Sequence, residues 1–192
     1  RPGPVPVAFD RAPAGPAIRL FRKKTEQSQL ALGFRTCSRT DPRRHALRLL
    51  NIVLGENMSS RLFQIVREDR GLVYSIYSGP SFWSDVGDLV ISAGLDAEKI
   101  EPVISLIGKE LRKLATTRVG REELRRARDY ALGQMDLSLE NTENHMMWLG
   151  EQLVTLGQVV PVRRMRDALA AVTADEVREV ARAFFRPERC AL

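Results

Sequence analysis

The period of the apolar residues changes three times along this chain and then stays helical to near its end, and that order limits the folds open to it. Over residues 18–24 and again over 29–36 apolar and polar side chains alternate, with Leu30, Leu32 and Phe34 on one face. Alternation of this kind is the mark of a half-buried strand, and the two stretches read as an antiparallel pair. Ala31 and Gly33 on the other face are small enough to let something pack closely there. The period then lengthens. Asp41-Pro42 supplies an N-cap and a proline for a first helical turn, Ala46, Leu49, Leu50 and Val53 follow at helical spacing, and Gly55 reads as the C-cap. A shorter helix is expected from Ser59 or Ser60 to about Asp69, broken by Gly71. Alternation returns over 73–82 and 87–95, with a turn at Ser84-Asp85-Val86-Gly87 between them.

After Asp96 the pattern is helical almost to the end. Ile100, Val103, Ile104, Ile107, Leu111 and Leu114 form one stripe, with Pro102 in its first turn. Leu124, Ala127, Ala131, Met135 and Leu139 form a second. Met146, Leu149, Leu153 and Leu156 form a third, opened by Asn141 or Thr142, and a short helix follows Pro161. Thr173-x-x-Glu176 is a capping box, with Val172 and Val177 placed as a hydrophobic staple, and its helix stops at Pro187. Residues 189–192 begin a strand. Strands joined by hairpins and followed by a run of helices imply an α+β fold, a mostly antiparallel sheet with helices layered on one face. Residues 1–17 hold five of the ten prolines and read as an interdomain linker, leaving 18–192 as one domain whose final strand is truncated. The chain starts at Arg1 without an initiator Met or signal-peptide pattern, so a longer or processed parent is expected, and compartment is not indicated.

Several functions are disfavoured by what the chain lacks. Apolar residues make up 44% and charged residues 28%, the balance of a soluble globular protein, and no stretch is long and apolar enough to span a membrane. The net charge of +6 is spread over the whole length, arginines alternate with acids, and the basic groups have no interleaved aromatics, which argues against nucleic acid. Cys37 and Cys190 do not make a disulfide framework and are expected to be unpaired. His45 and His145 are the only histidines; no His-x-x-Glu-His or Cys-x-x-Cys occurs, so adjacent ligands cannot assemble a zinc site. The serines form no Gly-x-Ser-x-Gly elbow and Cys37 has no histidine beside it in sequence. No catalytic or metal-binding residue is assigned.

The stretch with chemical character is residues 55–79. Arg67 lies one turn beyond Phe63 near a helix end, and Tyr74 stands where the next strand begins. A glycine break between them would let a guanidinium and a phenol converge. Both are donors, able to hold the carbonyl oxygens of an extended ligand or a developing oxyanion. Taken by themselves, the residues fit a surface arginine and a half-buried tyrosine better than a binding pair.

Met58-Ser59-Ser60-Arg61-Leu62-Phe63 followed by Arg67-Glu68-x-x-Gly71-Leu72-x-Tyr74-Ser75 resembles the second, non-zinc domain of the insulinase, or pitrilysin, family of zinc metallopeptidases, which includes mitochondrial processing peptidase and bacterial zinc proteases. The Gly87-x-Leu89-x-Ile91 strand, the helix from Ile100, Glu122-Glu123-Leu124 and the Thr173 box follow in family order, so the resemblance runs from about Ile18 to Leu192. It implies two homologous α+β halves facing across a chamber, the first carrying His-x-x-Glu-His and zinc. The second half supplies an arginine and a tyrosine seven positions apart that bind substrate backbone; here that spacing is met by Arg67 and Tyr74, not by Arg61 or Arg70. The resemblance thus implies the substrate-binding C-terminal half of a zinc metalloendopeptidase, inactive alone. Zinc is expected on the missing N-terminal domain and none in this chain. The implied partners are the domain or subunit bearing His-x-x-Glu-His and an extended peptide. Should the parent lack the zinc motif, the alternative is a structural or partner subunit of a peptidase-like complex.

Overall fold

The computed structural model describes residues 16–192. The Pro-rich stretch expected as a linker over 1–17 lies outside the described residues except for its last two positions. Four strands form one sheet in the order β2-β3-β1-β4. These are β1 (Ser28–Thr36), β2 (Ser75–Phe82), β3 (Gly87–Leu95) and β4 (Cys190–Ala191), and every pair among them is antiparallel. The register sets Leu32 against Ile91, Phe34 against Leu89 and Ile76 against Ala93. Side chains alternate along each strand, so this register gathers Leu30, Leu32, Phe34, Ile76, Leu89, Ile91 and Ala93 on one buried face. Ala31, Gly33, Tyr77 and Ser92 share the opposite face, where Tyr77 is 58% exposed.

Six α-helices complete the domain: α1 (Arg44–Asn51), α2 (Ile100–Thr116), α3 (Arg121–Glu140), α4 (Thr142–Leu156), α5 (Val162–Ala171) and α6 (Ala174–Phe184). Apolar stripes of α1, α2, α3 and α6, with Leu169 of α5, close over the buried sheet face in a single core that includes Leu47, Leu50, Val103, Ile107, Leu114, Val177 and Phe184. The stripe expected on α4 stays outside it, with Met146 60% and Leu153 54% exposed. The α+β architecture with helices on one face is the one the periodicity implies. Asn141 caps α4, accepting from the backbone N–H groups of Glu143 and Asn144 at 2.9 and 3.1 Å. The Thr173 box forms in both directions: Glu176 N–H donates to Thr173 Oγ1 at 3.2 Å and Thr173 N–H donates to Glu176 Oε2 at 2.7 Å. Thr173→Ala should cost about 1 kcal/mol, which in a domain of this size reads as a fall in Tm of about 2–4 °C on thermal unfolding.

Three local expectations are corrected. Residues 18–24 do not pair antiparallel with 29–36. β3 pairs along the whole of one edge of β1 and β4 takes only Gly33 and Phe34 on the other, and the alternating stretch pairs with neither edge. Only residues 17–19 bond to the sheet, running parallel to 190–192: Ala17 N–H donates to Cys190 O at 3.1 Å and Arg19 N–H to Leu192 O at 2.8 Å. Ile18, Leu20 and Phe21 are exposed. Gly55 is not a C-cap. α1 continues beyond Asn51 as a π-helical segment, Ile52–Glu56, and a Cβ on Gly55 would lie 2.7 Å from Ser78 Oγ and 3.0 Å from the Ser78 nitrogen. Glycine is needed there because β2 passes so close. The helix expected to end near Asp69 is also π-helical, over Phe63–Glu68, with Asp69 N–H donating to the Gln64 carbonyl five residues back at 2.8 Å.

A buried polar chain ties the first of these segments to the sheet. Ser78 Oγ donates to Asn51 Oδ1 and Asn51 Nδ2 donates to Glu56 Oε2, both at 2.7 Å, and Arg48 pairs with both oxygens of Glu56. Asn51 is fully buried. A network satisfied in this way holds one arrangement of α1 against β2, because breaking any link would leave a polar group unpaired away from water.

Candidate functional site

The chain from Ser60 to Asp96 runs from the second π-helical segment into the sheet and carries both candidate residues. Its base is Arg61. Nε and Nη2 of Arg61 donate to the two oxygens of Glu123 on α3, each at 2.7 Å, and Nη1 lies 3.5 Å from Glu110 Oε2 on α2. All three side chains are largely buried, and a bidentate guanidinium–carboxylate pair of this kind fixes orientation as well as contact. Burial alone would push the Glu123 carboxyl up; the Arg61 hydrogen bonds and charge outweigh it and hold that carboxyl below its ordinary range. Leu62 and Val66, both fully buried, anchor the same segment from its other side.

Arg67 is carried outward by this anchored turn. Its side chain is 44% exposed, its guanidinium carbon stands 4.8 Å from the centre of the Phe63 ring, and Nε is 3.9 Å from Glu68 Oε1. Stacking on Phe63 steadies the guanidinium and leaves its N–H groups in the ring plane available. The chain then reverses. Gly71 takes φ +58°, its N–H returns to the Arg67 carbonyl at 3.0 Å, and Leu72 N–H returns to the Val66 carbonyl at 3.0 Å. A left-handed residue is what a helix end of this shape requires, and glycine takes that conformation without a Cβ clash.

Tyr74 follows one residue ahead of β2. Its N–H donates to the Gly94 carbonyl of β3 at 2.8 Å, which fixes the backbone, and the side chain is 53% exposed. Its hydroxyl donates to Asp96 Oδ1 at 2.9 Å, and Lys99 Nζ lies 2.8 Å from Asp96 Oδ2. The Asp96 hydrogen bond and charge raise the phenol above its ordinary value, while Lys99 and then Tyr74 hold the Asp96 carboxyl below its own. Arg67 and Tyr74 flank Gly71 as separate exposed groups: Arg67 keeps to Phe63 and Glu68, and Tyr74 keeps to Asp96. Asp96 and Lys99 were not among the residues that spacing singled out. Their i,i+3 acid–base pattern was visible, but Asp96 comes beside Tyr74 only through the β2–β3 register, which sets Ser75 against Gly94.

The other candidates stay apart. His45 is on α1, where burial and then Arg44 push its pKa down, and His145 is on α4 with its ring 5.9 Å from that of Trp148. Cys37 and Cys190 are free thiols; burial, and then Asp41, pushes the Cys37 thiol up to about 11, which keeps it un-ionised and poorly nucleophilic at neutral pH. Among the described residues no group of three or more His, Cys, Asp or Glu is placed to hold a metal ion, so they do not fit a zinc site. No helix among them is long and apolar enough to cross a membrane.

Comparison with known proteins bears on the family and the fold. The sequence profile of the peptidase M16 inactive domain matches residues 2–130. The uncharacterized zinc protease SCO5738 of Streptomyces coelicolor is 39% identical over 165 residues, covering 86% of this chain and 36% of that protein. The uncharacterized zinc protease YmxG of Bacillus subtilis is 38% identical over 168 residues, covering 87% of this chain and 41% of its own length. The chain therefore spans about two fifths of these relatives. In fold it is similar to a protease from Helicobacter pylori, with a TM-score of 0.89 at 18% identity over 98% of this chain and 45% of that one. It is also similar to a peptidase M16 inactive domain from Pseudomonas fluorescens, with a TM-score of 0.80 at 22% identity over 98% of this chain and 46% of that one. The shared profile, the zinc-protease relatives and the common fold agree with one another, and the chain belongs to the peptidase M16 inactive-domain family.

Proposed function

We propose that this domain is the substrate-binding, non-catalytic half of a zinc metalloendopeptidase, closing over an extended peptide held at a zinc site on a homologous N-terminal half. The observation that carries the reading is the pair of exposed donors, Arg67 and Tyr74, set on either side of Gly71 on a segment locked by Arg61 to α2 and α3. An extended peptide offers backbone carbonyls at regular intervals, and a stacked guanidinium and a phenol on a fixed base can hold them without reorganising. Zinc on the other half supplies the activated water. The residues of this half bind the peptide, orient it and exclude solvent as the halves close. The relatives that are zinc proteases and exceed this chain in length support a parent with room for the second half.

Metal analysis tests the division of labour. The full-length protein should hold one zinc per chain and the 192-residue domain less than a tenth of one, with no peptide cleavage by the domain alone. Stoichiometric zinc in the isolated domain, lost on changing His45 or His145, would overturn the assignment. A zinc-free full-length protein would make the domain a structural partner instead.

A further inference from the structure

A phenol has one proton to donate. In Tyr74 that proton goes to Asp96 Oδ1 at 2.9 Å, so the donor that a peptide carbonyl would need is already committed. Asp96 itself is oddly employed. It stands at the N-cap of the 3-10 turn Ala97–Lys99, where an aspartate ordinarily accepts from backbone N–H groups of the turn, yet its side chain makes no capping bond. Its two oxygens serve Tyr74 and Lys99 instead. The Lys99 ammonium, 2.8 Å from Oδ2, holds the carboxylate in place and draws on its charge, which makes it a weaker acceptor than a lone carboxylate would be. The contact lies at the surface, beside a phenol that is 53% exposed, so another acceptor can reach the hydroxyl.

We propose that Asp96, held by Lys99, is a latch on Tyr74 that sets the affinity of this domain for peptide: a backbone carbonyl takes the hydroxyl proton only by displacing the carboxylate. The inference rests on the peptide-binding role of Tyr74 given above. Its kinetic signature follows from which states contain the contact. The Tyr74–Asp96 bond is present in the free protein and absent from both the peptide complex and the transition state. It therefore raises KM and leaves kcat alone.

In the full-length protein Asp96→Ala should lower KM for a peptide substrate by about fivefold, the worth of one modest hydrogen bond, with kcat held within about twofold. In a Tyr74→Phe background the same change should move KM by less than about twofold. The 192-residue chain supplies a second readout. It has three tyrosines, and the absorbance titration of Tyr74, isolated by difference against Tyr74→Phe, should shift down toward the ordinary phenol value of about 10 in Asp96→Ala. A rise in KM, an equal fall in KM in the Tyr74→Phe background, or an unmoved titration would each overturn the latch. If Tyr74→Phe leaves both KM and kcat unchanged, the peptide-binding role falls and the latch with it. That signature differs from an Asp96 effect that persists without the hydroxyl.

Discussion

On the proposed peptide-binding role, Tyr74→Phe made in the full-length protein should lower kcat by about 10²–10³, with zinc content and Tm at their wild-type values. The size follows from the setting: a donor aimed at a developing oxyanion in a water-excluded chamber is worth about 3 kcal/mol, because no solvent molecule can replace it. The absence of a stability effect follows from exposure. Tyr74 is 53% exposed, and its hydroxyl bonds at the surface to one carboxylate, so the core loses nothing when the oxygen is removed. Arg67→Ala should cost at least as much in kcat/KM, partly through weaker peptide binding, since it removes a stacked guanidinium that is 44% exposed and free of buried partners. Steady-state kinetics on a defined peptide, with metal analysis and thermal melts on the same preparations, decide the matter. A Tyr74→Phe protein with normal kcat would leave a scaffold domain.

Arg61→Leu should destabilise the domain by about 3–5 kcal/mol, the cost of removing one partner from a buried ion pair, since Glu123 loses its bidentate partner and Glu110 keeps only Lys113, at 4.0 Å. Glu110, with its side chain 11% exposed, and Glu123, at 26%, would then face each other's charge across an apolar gap. Adding Glu123→Gln should recover part of the loss by removing one of the stranded carboxylates. The effect also depends on pH in a defined direction. Glu123 is held below its ordinary value in the folded state, so the stability it contributes is present above the unfolded carboxyl value, about 4.3, and is lost as pH falls through the depressed folded value. Arg61→Leu should therefore differ from wild type most at neutral pH and least in acid, as urea unfolding at both pH values would show. Equal stability losses at the two pH values would mean that Arg61 acts through packing alone.

The strands and helices were legible because apolar period reports a buried face directly. β1, β2 and β3 lie within two residues of their alternating stretches, and α2 and α3 bury most of the stripes read for them, whereas α4 leaves Met146 and Leu153 of its stripe exposed. Residues 18–24 misled for a physical reason: alternation describes a surface suited to half-burial and does not say which strand, if any, the stretch pairs with. Gly55 misled because a glycine after an apolar run serves equally as a cap or as a point of close approach, and only Ser78, 23 residues on, decides between them. Arg67 and Tyr74 could be marked from spacing around Gly71. Their supports could not. Glu123 and Glu110 reach Arg61 through the packing of α2 and α3, and Asp96 reaches Tyr74 through strand register, and neither relation leaves a trace in local sequence.

The π-helical turn that carries Arg67 has a consequence for how this protein can change by insertion and deletion. An α-helix advances about 100° per residue, and a π-turn amounts to an α-helix holding one residue more than its bonding pattern needs. Deleting one residue between Phe63 and Arg67 would let the backbone return to ordinary helical bonding. Phe63 and Arg67 would then stand three residues apart instead of four, which changes the angle at which the guanidinium meets the ring it now covers. Length variation in this segment is therefore restrained by angular phase: a shorter turn could keep its helical bonding and yet hold its arginine at another angle.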